Sequence, residues 1–156
     1  DSYRDYEECL NSNEYRNLLE DLKKFTIADK NIHLPVQERI IKEKKTTLDG
    51  VKSIEFVVRK KGMPFQEFQQ YWTSVHGPLG AAIPQVNRYV QNHVIPQSYE
   101  GGLSPRLDGL AITWFDSTQE MRESATTNEY SSTRADEANF LTIPLEFIIT
   151  KEHIII

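Results

Sequence analysis

Trp72-Thr73-Ser74-Val75-His76-Gly77-Pro78-Leu79 is the densest run of chemically capable residues in the chain. His76 stands four residues after Trp72, so on a helix the two share one side. An imidazole is the side chain best able to take and return a proton near neutral pH. Gly77 and Pro78 directly after it distort a helix end. The ring would then look into a partly apolar cavity between a helix and a sheet. The plainer alternative is a core or helix-capping histidine held by a hydrogen bond. Ser74 is only two residues from His76 and does not face it on a helix, which disfavours a Ser–His nucleophile pair.

Tyr89, Gln91 and His93 alternate with Arg88, Val90, Asn92 and Val94 and so share one strand face. If that face meets the Trp72/His76 side of the helix, a pocket with a few convergent polar groups results. Tyr89 would polarise a carbonyl or phenol oxygen there. A solvated or interface-facing polar strand is the alternative. Asp108, at the start of a later strand, would orient a histidine or hold a loop. The four histidines, His33, His76, His93 and His153, form no HExxH, and Cys9 is the single cysteine, so a metal site is not expected. There is no GxGxxG and no Walker loop, and no cofactor is expected.

These residues must be held by elements, and the pattern supplies them. Val51–Val58 alternates as a strand with Ile54, Phe56 and Val58 on one face. Phe65, Phe68, Trp72, Val75 and Leu79 recur at helical spacing. Val86–Ile95 and Leu107–Phe115 are further strands. Asp116-Ser117 is a good helix start, because an oxygen side chain caps free amides. Residues 118–140 read as one polar helix, and Pro144 opens a last strand, Leu145–Ile156. Pro96–Arg106, with Gly101 and Gly102 inside it, reads as a loop able to serve as a lid. The order β-α-β-β-α-β is the split-βαβ, ferredoxin-like layout.

Length and charge are consistent with this. The chain has 156 residues, a net charge of -5, 38% hydrophobic and 26% charged residues. That is a globular balance, and the acidic net charge argues against a nucleic-acid surface. No run approaches the ~20 apolar residues of a membrane span. No charged-then-apolar leader opens the chain, so a secretory signal is not expected. A lone cysteine fits a cytoplasmic setting.

Residues 1–25 align without a gap on residues 116–140, with eight identities, including Asn13-Glu14-Tyr15 on Asn128-Glu129-Tyr130. Pro35 and Pro144 then each lead a strand. Residues 1–43 thus read as the last helix and strand of a preceding copy of the same unit. Such a piece cannot bury its apolar faces alone, so association with a second chain or a complementary half-repeat is expected.

Phe65-x-x-Phe68-x-x-Tyr71-Trp72-x-x-x-His76-Gly77-Pro78-Leu79, then Ile83-Pro84, then Arg88-Tyr89-Val90-Gln91-Asn92-His93, resembles the EthD family. Asp108-Gly109-x-Ala111, Trp114-Phe115-Asp116-Ser117 and Asn128-Glu129 extend the likeness over about residues 51–152. The resemblance implies an α+β fold of the dimeric α+β barrel type, in which ferredoxin-like units pair sheet to sheet. Each ligand cavity then lies between a sheet and its own helices. Residues 1–45 become the tail of a truncated EthD-like repeat, and residues 51–156 a complete domain. The family's motif histidine falls on His76 and its strand tyrosine on Tyr89.

Relatives of that kind include cofactor-free isomerases, cyclases, decarboxylases and dehydratases acting on aromatic, lactone or polyketide-like compounds. The expected activity is therefore that of a cofactor-independent lyase or isomerase on a small apolar or aromatic substrate. His76 would be the general acid or base, and Tyr89 would assist at the same oxygen or proton. Trp72 and Trp114 would shape the cavity and exclude water, with Asn92, His93 and Asp108 as further binding residues. Two rival readings are a non-catalytic module that only holds small molecules and a cofactor-free monooxygenase on an activated phenol. The expected partner is a second copy or a complementary half-repeat, with neither nucleic acid nor membrane.

Overall fold

The structure, a computed structural model, describes residues 2–27, 30–47, 50–102 and 104–153. The chain divides into two compact units, Asp1–Pro35 and Val36–Ile156. The first holds α1 (Tyr3–Leu10) and α2 (Asn13–Leu22). Ser2 and Ser12 cap them through their hydroxyls.

The second unit carries β1 (Val36–Lys42), β2 (Val51–Val57), α3 (Phe65–Tyr71), a π-helical turn (Trp72–His76) and α4 (Gly77–Ala82). It continues with β3 (Arg88–Val94), a 3-10 segment (Pro96–Gly102), β4 (Gly109–Phe115), α5 (Thr118–Ser124), α6 (Asn128–Phe140) and β5 (Glu146–Thr150). The five strands form one antiparallel sheet in the order β1-β3-β4-β2-β5. Without β1 this is the ferredoxin-like βαββαβ arrangement. β1 is added at the β3 edge and so belongs to the second compact unit.

Register assigns every strand residue to a face. Val51, Ser53, Glu55 and Val57 lie opposite Phe115, Thr113, Ala111 and Gly109 and look towards the helices, together with Tyr89, Gln91 and His93. The core lies between this face and the helices and includes Phe68, Trp72, Ile83, Val86, Tyr89, Phe115 and Phe140. The other face carries Ile40, Val90, Ile112, Ile54 and Ile148 in one row across all five strands.

Several elements differ from the sequence reading. Residues 118–140 are two helices, because Ser117 and Thr127 each cap a new start. Their starts, Thr118 and Asn128, align with Tyr3 and Asn13 in the internal repeat. β5 ends at Thr150, and residues 154–156 of the expected strand lie outside the described residues. Val75 does not belong to the inward stripe and is 44% exposed. The π-turn is the reason: it adds a residue to the helical repeat, so the inward position passes to His76.

Candidate functional site

A proline at position 78 cannot donate to the carbonyl of Ser74 and crowds it. A wider turn relieves that crowding. The amide of Gly77 reaches back five residues to the Trp72 carbonyl, and the same oxygen accepts a second hydrogen bond from Gln91 Nε2 at 2.8 Å. The turn leaves His76 buried at 6% exposure, with its ring 4.7 Å from that of Phe140.

His76 Nδ1 lies 2.9 Å from Asp136 Oδ2. The other carboxylate oxygen accepts from the Tyr71 hydroxyl at 2.6 Å and from Asn139 Nδ2 at 3.0 Å. Burial pushes the Asp136 carboxyl up, but these three hydrogen bonds outweigh it and hold the carboxyl below its ordinary value. Burial also lowers the His76 imidazole, against the pull of Asp136. The pair is therefore a neutral imidazole on an ionised carboxylate. A carboxylate only accepts, so Nδ1 carries the hydrogen and Nε2 is the basic nitrogen.

Tyr89 is held from behind. Its oxygen accepts from Trp72 Nε1 at 3.2 Å and from Gln91 Nε2 at 3.0 Å. Its own hydroxyl hydrogen has no acceptor among the described residues, and burial raises it well above the ordinary phenol range. Two glycines make the packing possible. A Cβ at Gly80 would sit 3.0 Å from Tyr89 Cε1, and one at Gly109 would sit 2.6 Å from Trp72 Cζ3 and 2.4 Å from the Asn92 carbonyl.

His76 and Tyr89 line one cavity of about 350 Å³ between the sheet and α4, α5 and α6. Its walls are largely apolar, with Ile83, Val86, Phe115, Met121, Phe147 and Ile149. Four charged side chains also line it: Glu55 from β2, Arg122 from α5, and Arg134 and Glu137 from α6. Burial raises Glu55, while Arg134 opposes the rise. Burial, Glu55 and Asp136 bring Glu137 to about 7 against Arg134.

The remaining sequence candidates lie elsewhere. Trp72 does not line the cavity; it donates to the Tyr89 oxygen from outside it, and its ring meets that of His93 at a tilt, 4.3 Å between centres. His93 is fully buried and lies outside the cavity lining, with Nε2 3.0 Å from Gln91 Oε1. Burial and Arg39 lower its imidazole to about 3, so Nε2 donates and fixes which end of the Gln91 amide meets Tyr89. Asn92 and Trp114 are on the opposite face of the sheet, because strand alternation gives the cavity side to Gln91, Thr113 and Phe115. Trp114 is flanked by Arg88 at 4.6 Å and Lys52 at 5.5 Å and borders a separate hollow of about 310 Å³. Asp108 is also outside the cavity. It accepts from the Arg59 amide at 2.8 Å and the Tyr99 hydroxyl at 2.6 Å, and so pins the 96–102 segment. No described residue of that expected lid lines the cavity. Among the described residues no group of three or more His, Cys, Asp or Glu is placed to hold a metal ion.

A model of the EthD domain matches residues 60–143, more than half of the chain and every element from α3 to α6. The chain belongs to the EthD family.

Solved structures agree with the fold. An ethyl tert-butyl ether D (EthD) family protein from Bacillus halodurans is 20% identical, with a TM-score of 0.54 over 67% of this chain and 99% of that one. An EthD-like protein from Ralstonia eutropha is 17% identical, with a TM-score of 0.52 over 67% and 93%. A dimeric protein of unknown function and ferredoxin-like fold from Bacteroides fragilis is 15% identical, with a TM-score of 0.50 over 66% and 96%. No curated protein matches. No described helix of this EthD chain is long and apolar enough to cross a membrane.

The polar residues that the sequence reading passed over in this EthD site are Glu55, Arg134, Asp136 and Glu137. A signal for them exists. Thr133, Glu137 and Phe140 are the buried positions of α6 and recur at helical spacing. Ser53 and Glu55 occupy the alternate face of the strand on which Ile54 and Phe56 were assigned.

Proposed function

We propose that this cavity performs proton-transfer chemistry of the lyase or isomerase type on a small, mostly apolar carbonyl or phenolic compound, using side chains alone. His76 Nε2 takes the proton from carbon, Asp136 stabilises the imidazolium that forms, and the Tyr89 hydroxyl donates to the oxygen on which charge develops. One observation carries the reading: a tautomer-fixed imidazole and a doubly supported phenol line the same largely apolar hollow. A volume of about 350 Å³ suits a small aromatic or lactone ring system.

The test is hydrogen exchange at the carbon next to the carbonyl of simple aryl ketones in heavy water, followed by proton NMR. Wild-type protein should accelerate the exchange, and His76→Ala should abolish the acceleration. Binding of the ketone with exchange no faster than in buffer would leave the rival, a module that only holds small molecules.

The same reading includes association with a second copy or a complementary half-repeat. It is supported by Ile40 and Ile148, about half exposed on the face away from the helices. β1 stands at the β3 edge much as β5 stands at the β2 edge, which fits residues 1–43 as the tail of a preceding repeat. The single, exposed thiol of Cys9 fits a reducing, cytoplasmic compartment.

A further inference from the structure

His76 and Tyr89 leave one cluster in the cavity without a task. Arg134 Nη1 lies 2.8 Å from Glu137 Oε1 and 3.5 Å from Glu55 Oε1. One guanidinium thus faces two carboxyls. Glu137 is 4% exposed, and the surrounding wall is mostly apolar. Arg122 also lines the cavity, but it is exposed and makes no ion pair with either carboxyl. Two ionised carboxylates on one guanidinium would be one positive charge short, and a single retained proton removes the deficit.

We propose that Glu137 holds this proton and delivers it to a leaving oxygen, so that the site carries out β-elimination of water from a β-hydroxy carbonyl compound. The proposal rests on the role given to His76 above and narrows it from proton transfer in general to one reaction class. The three groups divide the work. His76 Nε2 removes the hydrogen on the carbon between the two oxygen-bearing carbons. Tyr89 donates to the carbonyl oxygen while it carries the charge. The electron pair then returns to form the carbon–carbon double bond, the carbon–hydroxyl bond breaks, and the Glu137 proton leaves with the hydroxyl as water. His76 ends protonated and Glu137 ionised, and solvent returns the proton from one to the other. The sum is one enone and one water, with no oxidant or reductant.

The groups that set the proton affinity of Glu137 come from every element around it. Arg134 and Asp136 share its helix, and Glu55 faces it from β2. His76, Tyr89, Arg122 from α5 and Tyr130 from α6 complete the titratable lining. Burial together with Glu55 and Asp136 raises Glu137 against Arg134 to about 7, so near neutral pH a useful fraction keeps its proton.

The experiment uses the full chain and the β-hydroxy ketone formed from acetone and benzaldehyde. Enone formation is read by absorbance, and exchange at the carbon between the two oxygen-bearing carbons by NMR in heavy water. Wild-type protein should do both. Glu137→Gln should lower elimination relative to exchange by about 100-fold or more. Equal ratios in the two proteins, or wild-type exchange without elimination, would overturn the role of Glu137 and leave that of His76 standing. Neither exchange nor elimination by the wild type would overturn the role of His76 first, and this proposal with it. A readout independent of the probe is carbon-13 NMR of glutamate carboxyls. One signal titrating near pH 7 should disappear in Glu137→Gln, and a Glu137 carboxyl titrating in the ordinary range would overturn the proposal.

Discussion

The imidazole of His76 and the carboxylate of Asp136 meet at 2.9 Å although sixty residues separate them in the chain. Asp136 is itself fixed by Tyr71 and Asn139. The pair is thus a built arrangement: the carboxylate decides which imidazole nitrogen is basic. Asp136→Asn removes that decision while keeping the size of the side chain. Ketone exchange catalysed by the variant should fall by about 100-fold or more, with an unchanged far-ultraviolet circular dichroism spectrum. Exchange within threefold of wild type would remove Asp136 from the mechanism.

Tyr89→Phe should cost stability as well as activity. The Trp72 indole N–H loses its acceptor, and Gln91 Nε2 keeps only the Trp72 carbonyl. Leaving a buried donor unsatisfied costs about 1–3 kcal/mol. Urea denaturation should show a lower midpoint with an unchanged slope. A midpoint equal to wild type would mean that the phenol oxygen is not held as described.

Gly109→Ala tests the floor under Trp72. The new Cβ would meet the Asn92 carbonyl at 2.4 Å, and backbone cannot move aside cheaply. Overpacking of this kind costs about 1–3 kcal/mol. The melting temperature should drop by several degrees, and tryptophan fluorescence should report a displaced indole. A full-stability variant with native fluorescence would contradict the packing.

Two buried groups should shape stability against pH in opposite senses. His93 is held at about 3 against an ordinary 6.5, so as pH falls the unfolded chain takes up this proton first. Its contribution is complete above pH 6.5 and is lost as pH falls towards 3. Glu137 is raised to about 7 from 4.5, so its contribution is complete below pH 4.5 and is lost as pH rises through 7. Melting temperatures across this range should fall less steeply on the acid side in His93→Gln and less steeply between pH 4.5 and 7 in Glu137→Gln. Parallel curves for all three proteins would show that neither group titrates as stated.

Much of the fold was legible in the sequence because strand alternation and helical spacing are local signals. The order of strands and helices in residues 51–150 and the shared face of Tyr89, Gln91 and His93 follow from them directly, whereas alternation alone does not say that this face meets the helices. The π-turn did not, since it depends on how Pro78 crowds the preceding turn and on the Gln91 side chain, distant in the chain, that donates to the Trp72 carbonyl together with the Gly77 amide. Val75 was misplaced as a result. Asp136 and Glu137 were hidden for another reason. They stand in a polar segment that resembles a solvated helix face until Phe140 and Thr133 are seen to be buried beside them. Trp114 is large and aromatic, which suits a cavity wall, but it sits with Arg88 and Lys52 on the far side of the sheet.

The widened turn between α3 and α4 makes the protein depend on how many residues stand there more than on which ones. Ser74 and Val75 are exposed, and replacing either disturbs little of the interior. Removing one would turn the Gly77–Trp72 hydrogen bond into an ordinary four-residue one and would press the Pro78 ring against the Thr73 carbonyl, a crowding that the wider turn relieves. The helix would then have to bend or break between His76 and Gly80. This stretch acts as a spacer whose length is its message: tolerant of spelling changes, intolerant of a lost letter.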